Sequence, residues 1–182
     1  MADHGARVLE RETQFKDRVR GEVMVSWGVA EAQELGIYEL LRDTCGHELP
    51  YFLLPIGPEL SPPRDMLTTT PRHTPSLAFY HPTMQEVLLQ ASQDAGAEVR
   101  RGAHARQVKP WPLPTVVVEH AGRVKEVSAR LVVGVDGRNS LVRKWAGFTV
   151  QRGPERLLIS GVLFDDMPTP HEEPHEGNEY AY

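Results

Sequence analysis

The segment Leu131-Val-Val-Gly-Val135, followed at once by Asp136-Gly137, constrains the fold of this chain more than any other. A nearly continuous apolar run of this kind suits a strand buried on both faces, as in a parallel sheet covered by helices. The run breaks at Asp-Gly and leads into a short predicted helix, Ser140 to Ala146. In open α/β sheets ligands bind at the carboxyl end of such a strand, and a helix beginning there offers unpaired N–H groups to phosphate. Gly137 lets the backbone turn tightly and approach a ligand without a Cβ in the way. Asp136 can accept hydrogen bonds from hydroxyls or organise an arginine. Taken alone, the pair also reads as a plain turn with no ligand.

The other elements fit an α/β chain. Arg7–Glu10 reads as a short strand, and Ser26–Asp43 as two helices with a corner at Gly36. Prolines at 50, 55, 58, 62, 63, 71 and 75 forbid long helices there and leave room only for short edge strands such as Tyr51–Leu54. Pro82 suits the first turn of a helix reaching about Asp94, with Met84, Val87, Leu88 and Ala91 on its apolar face and Gly96 as its stop. Strands follow near Glu98–Arg101 and Ala105–Lys109, then a hairpin of Thr115–His120 with Val124–Ser128. A strand over Arg156–Phe164 and a polar tail close the chain.

Composition narrows the partners. With 182 residues the chain can bury one core, or one domain plus part of a second. Its net charge of -5 lies in no long block of one sign, which points away from nucleic acid and anionic membranes as partners. No apolar run nears the roughly 20 residues that cross a bilayer, and the start has no signal-peptide layout, so the cytoplasm is the expected location. Cys45 is the single cysteine, which rules out a disulfide within the chain and a thiolate metal cluster. His171-Glu-Glu-Pro-His175 has the spacing of a zinc helix, but Pro174 would break that helix. It reads as a solvated acidic tail, and no metal is expected.

The whole string Val135-Asp-Gly-Arg-Asn-Ser140-Leu-Val-Arg143, coming after an apolar strand, resembles the second FAD fingerprint of the flavin-dependent aromatic hydroxylases, the para-hydroxybenzoate hydroxylase-like family. The resemblance implies that Asp136 and Gly137 lie against the FAD pyrophosphate and take part in NAD(P)H use. Ser140 and Arg143 complete the motif as helix-start and packing partners. Arg7-Val-Leu-Glu10 resembles the family's second strand, whose terminal acid holds the adenosine ribose, which implies that role for Glu10. Asp17-Arg-Val-Arg20-Gly21 resembles the segment whose arginine reaches the FAD phosphates, at Arg20. At Phe79-Tyr80-His81-Pro82 relatives present a glutamine or arginine to the flavin, and Pro82 in the matching place carries no such contact.

The resemblance runs from about Ala2 to Phe164. It implies a partial Rossmann-like α/β FAD-binding domain over 1–150, with a parallel sheet, a β-hairpin crossover and a proline-rich excursion at 49–80. The beginning of a substrate-binding sheet would follow over 151–182. The implied chemistry is hydride transfer from NAD(P)H to FAD and O2-dependent hydroxylation of a small aromatic molecule. The family's opening strand and G-x-G-x-x-G turn are not in this sequence, and its later Gly-Asp motif would fall after Phe164. The expectation is a fragment of marginal stability that binds FAD poorly or not at all. Its activity would be reduced or absent unless a partner chain or oligomer completes the fold. A halogenase or reductase on the same scaffold, or a non-catalytic remnant, are the alternatives.

Overall fold

A computed structural model describes residues 5–17, 22–53, 55–56, 59–60, 62–154, 156 and 180–181. The chain divides into two units, one of residues 1–15 and 91–159, the other of residues 16–90 and 160–182. Parallel and antiparallel strands occur with helices, giving the mixed α/β class that the sequence predicts.

In the first unit Arg7–Glu10 pairs in parallel with Glu98–Arg101, Arg7 opposite Glu98 and Glu10 opposite Arg101. Arg7 Nε donates to Glu98 Oε2 at 2.6 Å across the pair. Beside it lies an antiparallel meander of His104–Lys109, Thr115–His120 and Arg123–Ser128. The predicted hairpin turns at Ala121-Gly122, both residues at positive φ (49° and 71°). Two central residues of that hand match the twist of the flanking strands. Alternation then sets the burial: Val116 and Val118 face inward and join Ala103 and Val108 in the core. Leu9, Val132, Val142 and Trp145 pack against the same cluster.

The segment Leu131–Val135 departs from expectation. Predicted as a strand buried on both faces, it takes no regular secondary structure and pairs with no strand among the described residues. Leu131, Val133 and Val135 are 75%, 69% and 89% exposed. Only Val132 turns to the core. Burial on both faces requires neighbours on both edges and a layer on each side. An apolar run shows that a strand tolerates such cover, and the described residues supply it on one side only.

The second unit is built on a three-stranded antiparallel sheet with Ser76–Phe79 between Val23–Met24 and Gly46–Leu49. Helices Ser26–Glu34 and Tyr38–Thr44 meet at Gly36, whose φ of +70° makes the predicted corner. Their inner faces supply Val29, Ala32, Tyr38 and Leu41, which close over Leu77. Met84, Val87 and Leu88 of the helix His81–Asp94 pack on this cluster, the apolar face that the sequence predicts. That helix begins where His81 N donates to Glu22 Oε2 at 2.9 Å, and Gly96 ends it at φ +92°. The Tyr38 hydroxyl donates to Glu48, and burial, that bond and the Glu48 charge push its pKa up to about 12.

In the proline-rich region the strands are two residues long, of which Tyr51–Phe52 pairs with Arg64–Asp65 and with Tyr180–Ala181, and a four-residue helix, Met66–Thr69, follows. Apart from Arg156, the predicted strand Arg156–Phe164 lies outside the described residues, as does the His171–His175 motif. Among the described residues no helix is long and apolar enough to cross a membrane.

Candidate functional site

The Asp-Gly segment forms a closed loop on the start of the helix Leu141–Trp145. Gly137 takes φ +84°, a left-handed value that a Cβ would strain, and Ser140 N donates back to Gly137 O at 3.0 Å. The Asp136 carboxylate accepts from the Ser140 hydroxyl, from Leu141 N at 2.6 Å and from Val142 N at 3.1 Å. Ser140 Oγ accepts from Arg143 N at 3.0 Å. Three N–H groups of the first helical turn, otherwise without partners, are thereby satisfied by two side chains.

This arrangement sets the electrostatics. Burial pushes the Asp136 carboxyl up, but the Ser140 hydroxyl and the N–H groups of Val142 and Leu141 outweigh it and hold its pKa below the ordinary 3.8. The carboxylate is engaged by the helix start. What the loop presents outward is the exposed stretch Gly137-Arg138-Asn139, with nothing within 4 Å of the place where a Cβ on Gly137 would stand.

One residue whose role the sequence reading passed over shapes this loop. A Cβ on Gly134 would stand 2.6 Å from Val142 Cγ1, so glycine is what lets the segment lie close to the helix. The signal was the single glycine inside an apolar run. Arg143 lies in the last turn of the helix, where its charge complements the dipole, and Phe148 N donates to its carbonyl at 3.1 Å.

Glu10 stands half-buried at the carboxyl end of its strand. Its Oε1 accepts from Glu12 N at 2.7 Å, and its Oε2 has no hydrogen-bond partner among the described residues. The backbone around it is pinned: Ala103 N donates to Glu10 O at 3.0 Å, and Arg101 Nη1 donates to Thr13 O at 2.8 Å while its guanidinium lies 4.7 Å from the Phe15 ring centroid. Arg101, opposite Glu10 in the register, is the second feature that sequence reasoning missed. Only the strand pairing reveals it.

Asp136, Gly137, Ser140 and Arg143 are therefore brought into one hydrogen-bonded loop. Glu10 belongs to the same unit, and Leu9 beside it packs on the core cluster that also receives Val132 and Val142. Arg20 lies outside the described residues.

No curated protein matches this sequence. Solved structures do. The Diels-Alderase PyrE3 of pyrroindomycin biosynthesis is 26% identical with a TM-score of 0.63, over 79% of this chain and 29% of that one. CabE, an aromatic hydroxylase from angucycline biosynthesis, is 25% identical with a TM-score of 0.63, over 80% of this chain and 28% of its own. The p-nitrophenol 4-monooxygenase PnpA from Pseudomonas putida DLL-E4 shares the fold at 19% identity and a TM-score of 0.64, over 78% and 37%. The chain thus spans about a third of the length of these relatives. The family model described as FAD binding domain matches residues 5–182, and the chain belongs to that FAD-binding family.

Proposed function

We propose that this chain forms the FAD-binding part of a flavin-dependent monooxygenase that uses NAD(P)H and O2 to hydroxylate a small aromatic molecule. The observation that carries this reading is the closed Asp136–Arg143 loop in a chain of an FAD-binding family. The donor set fits the cofactor. Glu10 has an oxygen to offer a ribose hydroxyl, and the loop engages its carboxylate in hydrogen bonds of its own while leaving the glycine backbone open to a pyrophosphate. When bound, FAD supplies the hydride acceptor and the oxygen chemistry. The protein's share is to bind and orient. Glu10 would hold the ribose, Gly137 would admit the pyrophosphate, and Asp136, Ser140 and Arg143 would fix the loop, with Arg20 on the phosphates. The domain division at about residue 150 belongs to the same proposal.

CabE and PnpA support the hydroxylase reading through the activities their names state. PyrE3 supports a second one, a protein of this fold named for a cycloaddition. Chemistry separates them. Protein loaded with FAD under nitrogen is expected to lose its oxidised flavin absorbance on adding NADH or NADPH and to regain it on admitting oxygen. A flavin that stays oxidised would count against the monooxygenase. The exposure of Leu131, Val133 and Val135 supports a narrower proposal, that a further strand covers this segment, from a partner chain or from other parts of a longer protein.

A further inference from the structure

We draw no further inference here: the strongest candidate, the exposed apolar segment Leu131–Val135 of the first unit, carries nothing beyond the reading already given because nothing in the structure shows what covers it.

Discussion

Ser76–Phe79 and Leu131–Val135 are short runs rich in apolar residues, one in each unit, and they meet opposite fates. The first is hydrogen-bonded along both edges and roofed by two helices, and Leu77 is wholly buried. The second has no strand partner among the described residues and leaves three of its four side chains in solvent. The exposed run is the more apolar of the two, Leu and three Val against Leu, Phe, Ala and a serine. What differs is the neighbours, so burial is a property of the pairing and the layer rather than of the run itself.

The largest expected contrast is between matched truncations. Leu77→Ala should cost about 2–5 kcal/mol through lost burial and a cavity in a closed core. Val133→Ala, at an exposed site, should stay within about 0.5 kcal/mol of the parent. Urea unfolding of both variants measures this, and a comparable loss at Val133 would mean that the segment is covered after all. Next in size is Gly134→Val. Its new side chain would drive into Val142, and overpacking of that kind costs about 1–3 kcal/mol, readable as a lowered thermal midpoint. Ser140→Ala removes the acceptor of Arg143 N and the donor to Asp136, a capping loss of about 1 kcal/mol. Faster amide exchange at Arg143 would report it.

The remaining effects are in pH, and they divide the units. Asp136 has a folded pKa below 3.8, so its contribution is present above that value and lost as pH falls through the lower folded one. Amides of Leu141 and Val142 should lose protection on that acid limb, and Asp136→Asn should remove the dependence. Tyr38, raised from 10.0 to about 12, behaves oppositely: its contribution is complete below 10.0 and is lost as pH rises through about 12. An absorbance titration of tyrosinate, with Tyr38→Phe as control, checks the alkaline side.

Local chemistry was legible in the sequence where a few adjacent residues decide it. The Gly36 corner, the hairpin around Ala121-Gly122 and the helix from His81 to Asp94 all follow from short-range signals. So did the Asp-Gly turn and its helix. Pairing was not legible, because it depends on residues far along the chain: Glu98–Arg101 beside Arg7–Glu10, and the open flank of Leu131–Val135. The site divides in the same way. Asp136, Gly137 and Ser140 are contiguous and readable, whereas the Arg101 contacts that pin the backbone after Glu10 cross 88 positions for Thr13.

The most direct test of the central claim is a titration of the chain with FAD, read by quenching of flavin fluorescence and by the thermal midpoint, beside Glu10→Gln and Gly137→Val. In place of the poor or absent binding expected of a fragment, the closed Asp136 loop and the open Glu10 oxygen predict saturable quenching with a raised midpoint. Affinity should fall roughly tenfold in Glu10→Gln, from loss of a charged hydrogen bond, and at least as far in Gly137→Val. No saturable quenching by the parent chain, or equal quenching by all three proteins, would contradict a flavin site built on Glu10 and the Asp136-Gly137 loop.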